Sequence, residues 1–261
     1  MLSEERHKLI LEKLERESVV YLNDLVKYLN TSESTIRRDL TALDKAGLLR
    51  KVHGGATSLK EISINTTDDI VENRQSLNID EKLKIAEYAA SLLEDNDLVY
   101  IDAGTTTELM INFINNTKAI FVTNGVVHAR KLIKNNCTTY ILGGELKLTT
   151  EAIVGSETVS SLRKYNFTKG FFGVNGVDID RGFTTPDIKE AMVKEEAFNR
   201  SKKRFILCDK SKFGEISSIT FANIKDAKII TTSLVDNIYK HQTEILEVGN
   251  LWYIQLHLIQ L

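Results

Sequence analysis

Between residues 33 and 57 the sequence ESTIRRDLTALDKAGLLRKVHGGAT changes its apolar period, so no single element can carry both halves. Ile36, Leu40 and Leu43 keep the three-and-four spacing of one helix face, and Ser32 stands where it can cap the first turn. Gly47 then ends the helix. Beyond it the chain alternates, is β-branched and is interrupted by Gly54 and Gly55, which predicts two short strands joined around the glycine pair. Upstream, Ser3, Glu4 and Glu5 start a first helix of about four turns carrying Leu9, Ile10 and Leu14. A β-branched run over 19–22, with Asn23 as N-cap, leads into a second helix carrying Leu25, Val26 and Leu29. Helix, short strand, helix, tight turn, helix and hairpin is the order of a winged helix–turn–helix.

In that arrangement the third helix presents Ser34, Thr35, Arg37, Arg38 and Thr41 outward along its N-terminal half, the part that must be free to enter a major groove. Arginine suits bidentate contact with guanine and also neutralises phosphate. Arg50, Lys51 and His53 make the hairpin a basic wing, and Gly54 and Gly55 permit close backbone approach at its tip. Residues 34–57 carry five Lys and Arg against two Asp, although the 261-residue chain has a formal net charge of -2. The charge for a nucleic-acid partner is therefore local. A solvated helix face whose arginines pair with Asp39 accounts for an Arg-Arg pair alone, but not for the pair, the spacing and the basic hairpin together.

These residues carry a family resemblance. STIRRDLTALDKAGLLRKVHGGA resembles the signature of the DeoR family of bacterial transcriptional regulators, and RHKLILEKLERESVVYLNDLVKYLNTS resembles the two helices before it. The resemblance implies that residues 1–57 are a winged helix–turn–helix domain binding double-stranded operator DNA, and later motifs extend it through about Gly214.

Residues 58–79 are polar and weakly periodic, as a linker is. From residue 80 to 261, β-rich runs (DLVYI, AIFVT, TTYIL, KGFFGVNG, RFILCD, AKIITT) alternate with helical patterns. That alternation predicts a Rossmann-like, mostly parallel α/β domain with its ligand beyond the strand ends. The loops at those ends combine small residues with hydroxyl, amide or charged groups: 102–107, 123–125, 143–145, 173–176 and 209–212. DAGTTT is the sharpest, delivering three hydroxyls to the start of a helix whose N–H groups favour phosphate. It is not a Walker loop, because no GK[ST] follows. Lys189, one turn into the helix after Pro186, can counter an anion, and Lys194 lies further along.

This part is similar to the DeoR sensor domain, which shares its fold with ribose-phosphate isomerases, glucosamine-phosphate deaminases and CoA transferases. The similarity implies a phosphorylated sugar effector. It carries Asp102, Gly104, Thr105, Thr106 and Thr107 over as the phosphate loop, surrounded by Thr123, Asn124, Gly143, Gly144, Asn175, Gly176, Thr185, Lys189, Glu190, Asp209 and Lys212. After AKIITT the sequence departs from the family pattern, and residues 251–261 read as a last strand, an oligomer contact or an altered tail.

The expected protein is a non-enzymatic repressor of a sugar-metabolism operon, acting as a homo-oligomer and switched by its effector. The alternative is a sugar-phosphate isomerase or deaminase with an appended DNA-binding domain, for which Glu108, Glu145, Asp178 and Glu190 supply carboxylates but no evident close pair. A sensor that has lost its ligand and answers to a partner protein is a third reading. Cys137 and Cys208 are far apart and read as reduced structural thiols, the five histidines form no HxH or HExxH, and neither metal nor cofactor is implied. The mixed charges of the N-terminus do not fit a signal peptide, and no run reaches the roughly twenty apolar residues of a membrane span. A cytoplasmic location is expected.

Overall fold

Ile10, Leu14, Leu25, Ile36, Leu40 and Leu43 meet in one core, which draws three helices together in the first 63 residues of the computed structural model. They are α1 (Ser3–Glu17), α2 (Leu22–Tyr28) and α3 (Glu33–Lys45). Strands β1 (Val19–Tyr21), β2 (Arg50–Val52) and β3 (Gly55–Thr57) form an antiparallel sheet in the order β1-β3-β2. The structure describes residues 2–17, 19–58, 64–67, 71–115, 117–234 and 237–249. Ser32 caps α3, its Oγ accepting from the Thr35 N–H at 3.3 Å. Gly47, at φ +66°, closes the same helix: its N–H donates to the Asp44 carbonyl (3.0 Å) and the Leu48 N–H to the Leu43 carbonyl (2.9 Å). Asn23 is not a cap. β1 runs directly into α2, so Tyr21 takes the cap position and Asn23 falls within the helix.

The second unit, residues 64–261, begins with β4 (Ile64–Asn65), α4 (Val71–Ser76) and α5 (Ile79–Ser91). Next come β5 (Leu98–Ile101), α6 (Thr105–Met110), β6 (Ile120–Thr123), α7 (Val126–Lys134) and β7 (Thr138–Ile141). A hairpin of β8 (Glu145–Lys147) and β9 (Ala152–Val154) leads through α8 (Ser156–Leu162) to β10 (Phe167–Gly173), β11 (Gly176–Asp178) and β12 (Gly182–Thr185). The chain continues through α9 (Ile188–Asn199), β13 (Ser201–Leu207), β14 (Ile216–Ser217), β15 (Ile219–Ala222), β16 (Lys228–Thr231) and β17 (Ile245–Glu247).

Seven strands form one sheet in the order β17-β16-β13-β10-β5-β6-β7, every neighbouring pair parallel. Alternate residues serve opposite faces: Tyr100, Val122, Phe172, Ile206 and Ile229 enter one core, and Val99, Ile101, Phe121, Phe171, Phe205 and Ile230 enter the other with Ile85, Ala86 and Ala89 of α5. A small antiparallel sheet, β11-β12-β15, accompanies it. The chain starts the large sheet in its middle, runs β5-β6-β7 to one edge, then returns to β10 and proceeds to the other. The direction reverses between β5 and β10, and a doubly wound sheet opens its ligand crevice at such a point.

Residues 64–79, read from sequence as linker, contribute structure to this unit: β4 pairs in parallel with β14, and α4 follows. A two-residue strand and a six-residue helix are too short for periodicity to reveal. Among the described residues no helix is long and apolar enough to cross a membrane. Residues 251–261 lie outside the described residues.

Candidate functional site

β5 hands the chain to Asp102, Ala103 and Gly104, and Gly173 ends β10 on the other side of the reversal point. The buried Asp102 accepts the Gly173 N–H on Oδ2 at 3.1 Å and pairs with the ammonium of Lys194, also buried, which donates to the Gly173 carbonyl at 3.1 Å. The ion pair thus stitches the two strand ends together. The cleft above it spans about 680 Å3, open mouth included, and of the residues named from the sequence Gly104, Thr105, Thr106, Asn175, Glu190, Asp209 and Lys212 line it.

The same wall holds three further cations: Arg74 and Lys82, which sequence reasoning missed, and Lys194, which it placed on the helix after Pro186 without assigning it to the site. Lys194 is already paired with Asp102, so three cations, Arg74, Lys82 and Lys212, face Glu190 and Asp209, and both carboxylates are engaged. Glu190 accepts from Thr150 Oγ1 at 2.6 Å and from Lys147 Nζ at 3.1 Å. Asp209 accepts from the Ser211 N–H at 2.9 Å and from Asn78 Nδ2 at 3.1 Å. Among the described residues no side chain caps the first turn of α6, which Thr105 and Thr106 open at the cleft wall. Surplus cations and uncapped N–H groups suit an anion.

Other predicted residues brace the walls instead of lining them. Thr107 is turned inward, its Oγ1 within 2.6 Å of the Asp102 carbonyl, 2.8 Å of the Gly104 carbonyl and 3.2 Å of His128 Nε2, so its hydroxyl belongs to the loop and not to a ligand. Asn124 Oδ1 accepts from the Tyr100 hydroxyl (3.0 Å) and the Ala103 N–H (2.9 Å), while Thr123 Oγ1 accepts from the Gly125 N–H at 3.0 Å. Thr185 donates to Asn175 Oδ1 at 3.1 Å, and Gly176 is packed so tightly that a Cβ would lie 2.2 Å from the Glu215 carbonyl oxygen. His128, which sequence reasoning did not single out, is buried with its Nε2 3.1 Å from the Gly104 carbonyl. Burial outweighs the nearby Glu108 and Asp102 charges and pushes its pKa down to about 4, so the ring is neutral.

Three predicted residues stand away from the cleft. Gly143 and Gly144 follow β7, the edge strand, and the Gly143 carbonyl accepts from the Thr158 hydroxyl at 2.9 Å. Lys189 is exposed and pairs with Glu145 at 2.6 Å. The lysine that does reach the cleft, Lys194, sits on the buried face of α9 with Glu190, Ala191, Ala197 and Phe198. Of the carboxylates considered for acid–base work, only Glu190 lines the cleft. Glu108 pairs with Lys131 at 2.7 Å, and Asp178 Oδ1 accepts the N–H groups of Asp180 and Arg181 at 2.9 and 2.8 Å.

In the N-terminal unit Ser34, Arg37 and Arg38 are exposed, and Thr35 and Thr41 are half-buried. Arg37 forks onto Glu33 Oε1 at 2.8 and 2.6 Å, while Arg38 Nε donates to the Ser34 carbonyl at 3.3 Å. Asp39 pairs with neither: it is buried between α1 and α3 and accepts from Arg6 (2.6 and 2.9 Å), with His7 at 3.1 Å. Burial raises the Asp39 carboxyl, but its bonds to Arg6 and His7 outweigh that and hold it below the usual carboxylate range. On the hairpin Arg50, Lys51, His53 and Gly54 are exposed. The Lys51 N–H donates to Asp44 Oδ1 at 2.9 Å and its Nζ to Thr41 Oγ1 at 2.7 Å, which ties the wing to α3. Gly55 is the correction here. It is buried, with a built Cβ only 2.0 Å from the Val20 carbonyl oxygen, so its close approach is to β1 within the unit.

Residues 6–62 match the family model described as the DeoR-like helix-turn-helix domain, and residues 77–233 match that of the DeoR C terminal sensor domain. The chain is 47% identical over 245 residues to FruR of Bacillus subtilis (strain 168), an HTH-type transcriptional regulator described as uncharacterized, with 94% of this chain and 96% of that one covered. It is 32% identical over 238 residues to the lactose phosphotransferase system repressor of Staphylococcus epidermidis, covering 90% and 94%. It is 35% identical over 217 residues to IolR of Bacillus subtilis (strain 168), another HTH-type transcriptional regulator, covering 82% and 84%. Among solved structures, ribose 5-phosphate isomerase A from Methanocaldococcus jannaschii aligns with a TM-score of 0.40 and 17% identity. That alignment spans 52% of this chain and about half of the solved one, 55%.

Proposed function

The chain belongs to the DeoR family of transcriptional regulators, and we propose that it is a repressor of a sugar-metabolism operon, released from its operator when a phosphorylated sugar enters the cleft between β5 and β10. The observation that carries the effector is the cation surplus of Arg74, Lys82 and Lys212 at the reversal point of the sheet, beside a Lys194 already paired with Asp102. The names of the relatives, a lactose phosphotransferase repressor among them, support a sugar-linked operon. The protein acts in the cytoplasm as a homo-oligomer, since helix–turn–helix proteins read paired half-sites through two copies. Residues 1–57 read the DNA, and residues 64 onward house the sensor. The effector acts by linkage: it binds the operator-competent and the released arrangement with different affinity.

The test uses an operator selected from random duplexes and a panel of sugar phosphates in gel-shift titrations. One phosphorylated sugar is expected to release the protein while its unphosphorylated parent does not. Equal effects of the two, or none across the panel, overturn the reading. Thr106→Val nearly preserves volume and removes one hydroxyl from the cleft wall. It is expected to weaken effector binding by about tenfold, the equivalent of one hydrogen bond, with operator affinity unchanged when no effector is present. Calorimetric titration checks it.

On the DNA side Arg38→Ala is expected to cost about 1–3 kcal/mol of operator affinity if the side chain reads a base. Lys51→Ala weakens binding more uniformly across sequences and lowers the salt slope by about 1. Gel shifts over a salt series separate the two, and unchanged affinity in both variants rules out this surface.

A further inference from the structure

Arg37 and Arg38 are neighbours on the exposed side of α3, yet their guanidinium groups are held differently. Arg37 gives its Nε and its Nη2 to one carboxylate oxygen, Oε1 of Glu33, at 2.8 and 2.6 Å. Among the described residues Arg38 is engaged through Nε alone, by the Ser34 carbonyl at 3.3 Å. Asp39, next in the chain, is taken by Arg6 and His7. Glu33, Arg37 and Thr41 follow one another at intervals of four and so lie in one line along the helix. Thr41 Oγ1 donates to the Arg37 carbonyl at 2.7 Å and accepts from Lys51 Nζ of the wing at 2.7 Å. Arg37 is thereby tied both at its backbone and at its guanidinium.

The bonds to Glu33 use one edge of that guanidinium. The other edge, Nη1 with Nη2, has no partner among the described residues, and it is an edge that matches the O6 and N7 acceptors of guanine two to two. Glu33 is itself exposed, and an exposed ion pair at this spacing adds little to folding. What the carboxylate does to DNA binding is larger. It is repelled by the phosphates of every duplex, and that repulsion is offset only where the arginine it holds meets the right base. Adenine presents its exocyclic amino group to the same edge, donor against donor, and an Arg37 without its carboxylate is free to turn to a phosphate instead.

We propose that Glu33 is a specificity-determining residue: it holds the free edge of Arg37 for one guanine in each operator half-site and weakens binding to duplexes that lack it. The inference rests on the reading of residues 1–57 as the DNA-binding unit.

Selection of binding sites from random duplexes tests it, run on the unmodified protein and on Glu33→Ala, Glu33→Gln and Arg37→Ala, each confirmed as folded by thermal unfolding. The unmodified protein is expected to demand guanine at one position of the half-site, and Arg37→Ala to lose that demand. Glu33→Ala is expected to relax the same position and no other, and in gel shifts to lower the ratio of operator to random-duplex affinity by about tenfold, the discrimination of one bidentate contact. Part of that fall is tighter binding of random duplexes, which the loss of a negative charge favours. Glu33→Gln, which keeps an acceptor oxygen without the charge, falls between the two. A Glu33→Ala protein that loses affinity for operator and random duplexes in step, with every base preference intact, shows a helix-supporting role alone and overturns the proposal. So does relaxation at a position that Arg37→Ala leaves unchanged, or an Arg37→Ala protein with all its preferences kept; each leaves the DNA-binding reading intact. If the unmodified protein enriches no sequence, that reading fails and this inference falls with it.

Discussion

Asp102→Ala is expected to lower the unfolding free energy of the sensor unit by about 3–5 kcal/mol, because it strands the Lys194 ammonium in the interior without its counter-charge. Both partners are buried, and among the described residues Lys194 retains the Gly173 carbonyl and the ring of Phe221, whose centroid lies 5.8 Å away. The same change removes the acceptor of the Gly173 N–H. Urea unfolding measures the loss. Combining Asp102→Asn with Lys194→Met should restore most of it, since no buried charge remains and an amide oxygen can still accept from Gly173. Effector binding is not expected to return with stability in that double variant, because a cation of the cleft is gone. A loss below about 1 kcal/mol in the single variant would mean that the pair does not hold the strand ends.

Acid is expected to weaken the same unit well above the range where carboxylates titrate, and His128 is the reason. Its ring is held neutral by burial, with its pKa pushed down to about 4. In the unfolded chain the imidazole takes its proton near pH 6.5. Between those values the unfolded state binds more protons, so stability falls as pH falls from about 6.5 towards 4, by about 2 kcal/mol at pH 5 and about 3 kcal/mol in all. Asp39, in the N-terminal unit and with its carboxyl held low, contributes there in the ordinary direction for an acid. Its stabilisation is complete above the usual carboxylate pKa and fades only as pH drops below it. Urea midpoints at pH 7 and pH 5 separate the two groups. His128→Gln should flatten the slope between them, and an unchanged slope would exclude the histidine as its source.

The N-terminal unit was legible because its signals are local. Ile36, Leu40 and Leu43 mark a face, Ser32 and Gly47 bound it, and the alternation after Gly47 can only be strand. The six main runs of the sheet were legible for the same reason. What local signals cannot convey is strand order. The loops after β6 and β7 look as polar as the one after β5, yet the crevice lies between β5 and β10, so Thr123 and Asn124 become braces and Gly143 and Gly144 stand at the sheet edge. Lys189 and Lys194 share a helix, and choosing between them required knowing which face α9 buries. Arg74 and Lys82 were hidden by a stretch whose two-residue strand, and whose Asn78 at φ +53°, leave no periodic trace.

A sheet that starts in its own middle cannot be finished in the order in which it is synthesised. Val99 waits for Lys169 and Ile64 waits for Ile216, whereas every strand partner of the N-terminal unit lies within residues 19–57. At roughly 5–20 residues per second, the interval between completing the wing and completing β10 on the ribosome is on the order of ten seconds. Long-range parallel pairing is itself slow to form once its partners exist. Each newly made chain therefore passes through a period in which its DNA-binding unit can already be folded while its cleft has yet to close.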